Sequence, residues 1–410
     1  MRLVHLSDLH ITEGPRLADQ ARIMGEIVAK SGSPDLWLVT GDLYGKSVPH
    51  RSTPLERGAL FPALAAMAEV APVVVVAGNH DHADDIAGLE HLGGAWPVTV
   101  VQTARAWEEM TPTGSAHLYA LPYPTKRWLL AGGGNLTVAE SQAAIEARLG
   151  GLLTLWRARV AGRRAADPST PHIGLGHFQV AGCQTSGGEV LAGQEIELTP
   201  AALESLDVDY GALGHLHLNQ EVARRWWYVG SPWRTDFGEV EPDKYWHSVG
   251  IAGPRDIEVE QLSTGCRDLV TLDWRWAADR DGGAPCWVRR PTWSPDDVRG
   301  AEVRARLVVP EQWVAGCPWD DELAALKASG VHRLVVERVI EPVLRMRAPA
   351  MVSAQTLPEK LAVYWGTLPE GSAPSDDERA AALEALTELQ TQEDDKIDAT
   401  TRTTIQRTTT

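Results

Sequence analysis

From residue 1 to about 250 the chain alternates short apolar runs with segments of helical spacing, the pattern of strands and helices packed in layers. The runs are Leu3–Leu6, Leu36–Val39, Val73–Ala77, Ile173–Leu175 and Tyr210–Leu213, with Trp227–Val229 as a further short one. Between the first two, Leu17, Ala21, Met24 and Val28 recur at steps of four, three and four, which lines one apolar stripe along a helix, with Gly32 as its stop. Thr137-Val138-Ala139-Glu140 has the form of a capping box and predicts a long helix to about Gly162, before Ala166-Asp167-Pro168 breaks it.

Beyond about residue 255 the texture changes. Leu269–Trp276, Glu302–Val309 and His332–Ile340 read as strands, with a short helix near Asp320–Ala328 between the last two. A second capping box, Ser375-Asp376-Asp377-Glu378, leads a helix carrying Leu383, Leu386 and Leu389, and Thr391–Thr410 is polar and Thr-rich, the composition of a disordered tail. No internal repeat is visible. The expected organisation is an α/β domain over 1–254, a small α+β domain over 255–345, a C-terminal helical region over 346–392 and a disordered tail over 393–410.

Five short polar motifs each follow an apolar run: Asp8-Leu9-His10, Gly41-Asp42, Gly78-Asn79-His80-Asp81, Gly176-His177 and Gly214-His215-Leu216-His217. Ligands of open α/β sheets bind beyond the carboxyl ends of the strands, so five such strand ends would gather these groups at one edge. Spacing two within Asp8/His10 and His215/His217 lets both side chains of a pair face one way from extended backbone. The glycines ahead of Asp42, Asn79, His177 and His215 let backbone come close. Asp8, Asp42, Asn79, His10, His177, His215 and His217 make seven oxygen and nitrogen donors without a cysteine. That is too many for one ion and unlike a structural zinc site; it suits two divalent ions, with Mn²⁺, Fe²⁺ or Zn²⁺ as candidates. Taken singly each motif is weak, a strand-end polar group being ordinary; the five in order carry the reading.

The 410 residues carry 38 Lys plus Arg against 55 Asp plus Glu, a net charge of −17, which counts against a tight grip on phosphate backbones. The 44% hydrophobic share excludes global disorder. No apolar run nears the ~18 residues of a membrane span, and the N-terminus lacks a secretory core. The four cysteines are scattered, with no CxxC pair. The expectation is a soluble, intracellular protein.

The order D-x-H, GD, GNHD, GH, GHxH resembles the calcineurin-like metallophosphoesterase superfamily. A narrower likeness follows from His5-Leu6-Ser7-Asp8-Leu9-His10 and from Leu213-Gly214-His215-Leu216-His217, continued by Gln220 and Tyr228-Val229-Gly230-Ser231-Pro232-Trp233-Arg234-Thr235-Asp236-Phe237-Gly238-Glu239. These resemble the SbcD-type DNA double-strand-break repair nucleases, as does the stretch from His177 through Gln179 to Thr185-Ser186-Gly187; the GSPxR-xxFGE run is the most specific segment.

The resemblance implies a sandwich of two mixed sheets flanked by helices, with a small α+β capping domain and a C-terminal helical segment. It places Asp8, His10, Asp42 and His217 around one metal and Asp42, Asn79, His177 and His215 around the other, so that Asp42 bridges. His80 then stabilises the transition state or protonates the leaving group, and Asp81 holds its imidazole. Ser231 and Arg234 lie where the family contacts a DNA end or nucleotide. Mn²⁺ is the implied cofactor, and DNA ends, an SbcC-like coiled-coil ATPase and a second copy of the chain are the implied partners. One position departs from the pattern: Gly45 stands where relatives carry His or Asp, with Tyr44 and His50 nearby but out of register.

The bound ions would reverse the sign contributed by Asp8 and Asp42, and much remaining acidity lies in the C-terminal region, so the net charge predicts weak, salt-sensitive DNA binding rather than none. Arg289-Arg290, Arg304 and Arg306 could meet phosphates or be solvated strand charges, and Trp226-Trp227 could stack on a base or belong to the core. The rival readings are a general metallophosphoesterase acting on a small nucleotide or phosphoprotein, and a DNA-end-binding scaffold without turnover.

Overall fold

The computed structural model describes residues 1–45, 50–125, 137–185, 196–240, 243–277, 286–290, 292–342, 354–368 and 373–386. The apolar runs pair into two six-stranded mixed sheets. The first has the order β14-β13-β1-β2-β3-β4, built from β1 (Arg2–Leu6), β2 (Leu36–Val39), β3 (Val73–Val76), β4 (Val98–Val101), β13 (Tyr245–Gly253) and β14 (Asp256–Ser263). The second has the order β11-β12-β10-β7-β6-β5, from β5 (Arg105–Thr111), β6 (Gly114–Leu121), β7 (His172–His177), β10 (Tyr210–Gly214), β11 (Gln220–Ala223) and β12 (Trp226–Tyr228). Their centres are parallel, β1 to β4 in one and β6, β7, β10 and β12 in the other. A short pair, β8 (Gln179–Val180) and β9 (Glu197–Leu198), lies apart from both.

Parallel strands covered on both faces must be apolar on both, which is why these segments read as continuous runs rather than alternations. Leu3, Leu36, Leu38, Val74 and Val76 meet Leu118, Ile173, Leu175 and Tyr210 between the sheets. On the outer face of the first sheet, Val4, Leu6, Val39, Val73 and Val75 pack on Ile23, Met24 and Ile27 of α1 (Leu17–Ser31) and on Leu60, Leu64 and Met67 of α2 (Pro54–Val70). Gly32 ends α1 with φ of 64°. The helix Val138–Ala166 covers the second sheet through Ile145, Leu149, Leu153, Trp156 and Val160. It starts at the Thr137 capping box and runs one turn past Gly162.

Leu269 begins a four-stranded sheet of order β16-β15-β17-β18, made of β15 (Leu269–Ala277), β16 (Cys286–Arg290), β17 (Glu302–Pro310) and β18 (Arg333–Glu341). Leu272, Trp274, Val303, Ala305 and Leu307 pack on Leu323 and Leu326 of the helix Trp319–Ala328. The boundary expected at 254/255 falls inside the β13–β14 hairpin, which pairs Gly253 with Asp256. A Gly-Pro turn reads the same in sequence whether it joins domains or two paired strands.

Glu302, buried at the start of β17, receives Arg16 from the entrance of α1 at 2.9 Å and Arg333 of β18 at 3.3 Å. Arg267 adds a bond of 3.0 Å to Asp19 of α1. By compactness the chain forms two units, 1–308 with 317–339, and 309–316 with 340–410. In the second, Thr356 caps the helix Leu357–Gly366, and Ser375 caps a helix over 376–386 that carries Leu383 and Leu386. Leu389 and the tail lie outside the described residues, among which no helix is long and apolar enough to cross a membrane.

Trp226 is a core residue: its ring lies across Gly174 and Gly211 of the two neighbouring strands. Trp227 is half-buried with its edge toward His247. A Cβ at Gly211 would fall 2.0 Å from the Trp226 ring. Gly211→Ala is therefore expected to cost about 1–3 kcal/mol, read as a lower denaturation midpoint at unchanged slope; native stability would show that the ring can move aside.

Candidate metal centre

The polar motifs leave their strands as loops that continue each other's pairing. Asp8 N donates to Gly41 O at 3.0 Å, His10 N to Asp42 O at 2.9 Å and Ile11 N to Leu43 O at 2.9 Å, so the exits of β1 and β2 run side by side. Asp8, His10, Asp42 and His215 have φ of 50°, 41°, 54° and 105°. Extended backbone thus does not aim Asp8 and His10; left-handed turns do. Such conformations cost of order 1–3 kcal/mol each and persist only where the surroundings over-determine them. Backbone of neighbouring loops closes in at the glycines: a Cβ at Gly78 would lie 2.5 Å from Asp42 N, and one at Gly214 would lie 1.9 Å from Thr40 O.

All seven donor side chains come to this edge. Ligand atoms of Asp8, His10 and His217 lie within 4.8 Å of one another, as do those of Asp8, Asp42 and His177. Asp42 Oδ2 stands 3.7 Å from His10 Nε2 and 3.3 Å from His177 Nε2, and the Nε2 atoms of His10 and His217 are 3.0 Å apart. Asn79 Oδ1 lies 3.1 Å from His177 Nε2 and 3.2 Å from His215 Nδ1. The main chain steadies both carboxylates, His215 N donating to Asp8 at 3.1 Å and His80 N to Asp42 Oδ1 at 2.9 Å.

The imidazoles test whether this donor set fits a metal. His177 turns Nδ1 to Thr40 O at 2.7 Å, His10 turns Nδ1 to Gly45 O, and His217 turns Nδ1 to the Glu239 carboxylate. Each leaves Nε2 facing the centre, the way protein metal sites orient histidine. Burial first, then His217, pushes His10 down to about 4 against the pull of Asp42 and Asp8, keeping it neutral. Burial also disfavours charge on Asp42 and His177. Their mutual attraction outweighs it, holding Asp42 far below the carboxylate range and lifting His177 to about 9. Two carboxylates among inward-facing nitrogens fit divalent cations.

The neighbouring residues are tied into the loops around the centre. Asp81 accepts backbone N–H from Gly78 at 2.9 Å, Asp42 at 2.9 Å and Leu43 at 2.8 Å, so it joins two loops. The His80 ring packs edge-on to His10 at 5.0 Å and is partly exposed. His82 caps the helix Ala83–Ala87. Ser231 is fully buried, and Arg234 is nearly so while bordering the cavity beside the centre. Lys244 Nζ binds Ser231 Oγ at 2.8 Å, while Arg234 binds Val240 O at 3.2 Å, Arg267 O at 3.3 Å and Asp268 at 3.1 Å. A run of polar residues does not reveal that a loop folds inward.

At Gly45 the missing side chain has a substitute: a Cβ there would fall 2.3 Å from the His50 ring, which occupies that space and binds Glu56 at 2.9 Å. Sequence register alone sets His50 aside. Glu239 and Lys244 also escape a reading of the sequence. They form a buried pair at 3.0 Å, and Lys244 Nζ also reaches His217 O at 3.2 Å. Glu239 lies inside the GSPxR-xxFGE run; Lys244 gives no signal. Arg306 is paired with Asp273 and Glu337, Arg304 lies over the Phe237 ring at 5.0 Å, and the side chains of Arg289 and Arg290, with Ser186 and Gly187, lie outside the described residues. Beside the centre opens a cavity of about 440 Å³ bordered by His10, Arg16, Phe237, Arg333 and Val335.

The family profile of calcineurin-like phosphoesterases matches residues 1–219, and the chain belongs to that family. Among curated proteins it is similar to the SbcD component of the nuclease SbcCD from Bacillus subtilis, 29% identical over 267 residues. That match takes in 58% of this chain and 63% of the relative, less than two thirds of its length. Among solved structures, GAP50, the anchor in the inner membrane complex of Plasmodium, aligns over 65% of this chain and 85% of its own at 13% identity, with a TM-score of 0.41. A likeness of that size says nothing about chemistry.

Metal binding requires His177 to give up the proton that Asp42 holds on it. Affinity for Mn²⁺ is expected to rise as pH approaches about 9 and to fall on acidification, with proton release visible by calorimetry in buffers of different ionisation enthalpy. A pH-independent affinity between pH 6 and 9 would contradict the Asp42–His177 pairing.

Proposed function

We propose that the chain is a DNA nuclease of the SbcD type, hydrolysing phosphodiesters at DNA ends as one component of a larger complex. The observation that carries this is the seven-donor cluster lying beside a cavity that its His10 borders together with Arg16, Arg333 and Phe237. In the proposal Asp8, His10, Asp42 and His217 hold one divalent ion and Asp42, Asn79, His177 and His215 the other, with Mn²⁺ ahead of Fe²⁺ and Zn²⁺. Two such ions, when bound, supply activation of water and charge neutralisation at the phosphate.

The side chains do the rest. Asp42, between the two groups of donors, is the bridging ligand. His80 lies at the exposed margin of the cluster with its main chain held on Asp42, where it can give a proton to the leaving oxygen. Arg333 makes a single long bond to Glu302, leaving guanidinium N–H groups to meet a strand's phosphate. The name of the Bacillus relative, a nuclease subunit, supports a nucleic acid as substrate and a larger complex as setting. The region 255–345 then caps the approach to the centre, 346–392 docks an SbcC-like coiled-coil ATPase, and the chain pairs with a second copy in the cytoplasm.

With Mn²⁺, the purified chain is expected to cut linear duplex or single-stranded DNA; turnover of cyclic nucleotides alone would instead assign a general phosphoesterase. His80→Ala should lower cleavage about 10²–10⁴-fold while the metal content per chain stays at the native value, and undiminished cleavage would remove His80 from the chemistry. Retained ATPase co-purification after deleting 346–410 would end the docking assignment.

A further inference from the structure

Beneath the ligand cluster runs a chain of buried polar side chains that the hydrolytic reading leaves unused. Asn219 Nδ2 lies 2.7 Å from His247 Nε2, His247 Nδ1 lies 3.2 Å from the Tyr210 hydroxyl, that hydroxyl lies 2.9 Å from His5 Nδ1, and His5 Nε2 lies 2.9 Å from Thr40 Oγ1. His5, Thr40, Tyr210 and His247 are fully buried. Both ends fix the direction. The Asn219 amide nitrogen only donates, and the Thr40 hydroxyl donates onward to Leu6 O at 3.4 Å. Every group between must accept from one neighbour and donate to the next. His247 is then the Nδ1–H tautomer, Tyr210 donates to His5, and His5 is the Nε2–H tautomer. Both rings must be neutral for this, and burial lowers both, His247 to about 4.

Except for His247, each link lies on a segment that leads into the cluster. His5 is in β1, ahead of Asp8 and His10, and pairs across the sheet with His247 of β13. Tyr210 opens β10, which runs into His215 and His217, and Asn219 follows His217 by two residues. Thr40 follows β2 directly, ahead of Asp42, and its carbonyl takes the Nδ1–H of His177 at 2.7 Å. The chain therefore crosses between the two sheets and joins the roots of three ligand-bearing loops.

We infer that His5, Tyr210 and His247 are positioning residues: a one-way hydrogen-bond chain that sets the spacing of the two sheets at the metal edge and holds the Thr40 carbonyl that aims His177. The inference rests on the two-ion reading above. Hydroxyl chemistry, not packing, is what it requires of Thr40, and this separates it from an ordinary satisfied core.

The full chain carries the test. In metal-free protein labelled with ¹⁵N-histidine, two-bond proton–nitrogen correlations should show His5 as Nε2–H and His247 as Nδ1–H. The opposite tautomer at either ring would overturn the chain. Mn²⁺ affinity, read from the resonance of the free ion, should weaken about tenfold in Tyr210→Phe and in Thr40→Val and be restored in Thr40→Ser. If Tyr210→Phe does not fold, the Thr40 pair decides alone. Native affinity in Thr40→Val, or equal losses in Val and Ser, would reduce these residues to packing. A native chain that binds no Mn²⁺ at all, with both tautomers in place, would overturn the two-ion reading, a result distinct from those.

Discussion

Everything at the centre depends on bringing two carboxylates and four imidazoles from two separate sheets into a space only a few ångströms across. In an apolar interior such a collection is unfavourable. Like groups repel, and desolvation penalises each ion. The protein meets this with main-chain order. The loops after β1 and β2 extend each other's pairing, Asp81 gathers three amides, and amides of His80 and His215 fall on the carboxylates of Asp42 and Asp8. The sandwich serves as a clamp, and divalent cations are the natural counter-charge to what it holds together.

Much of this was legible in the sequence, for an identifiable reason. Strands buried on both faces leave no alternation, so the runs at Val73–Val76 or Tyr210–Gly214 declare themselves. The polar residue that ends such a run has few places to go except the sheet edge. Capping boxes at Thr137 and Ser375 combine a start signal with a local bond and were equally readable for helix onset.

What was not legible rests on partners distant in the chain. The β13–β14 hairpin looks like a domain break because its turn carries the same residues as a linker. Nothing near Ser231 and Arg234 in the chain announces their bonds to Lys244 and Asp268. Gly45 looks like a lost side chain until His50 fills its place. In each case the sequence names the residue type correctly, while its role is decided by a neighbour that local spacing cannot bring near.

The left-handed backbone at Asp8, His10, Asp42 and His215 has a consequence for how such a centre is kept over generations. At each of these positions glycine would relieve torsional cost, and at the acidic ones it would also remove a buried charge. Selection for a sturdier fold alone would thus wear the site away, one ligand at a time, toward an inert sandwich. The sandwich would hold as well or better with glycine at these four positions, so their side chains serve the site and not the fold.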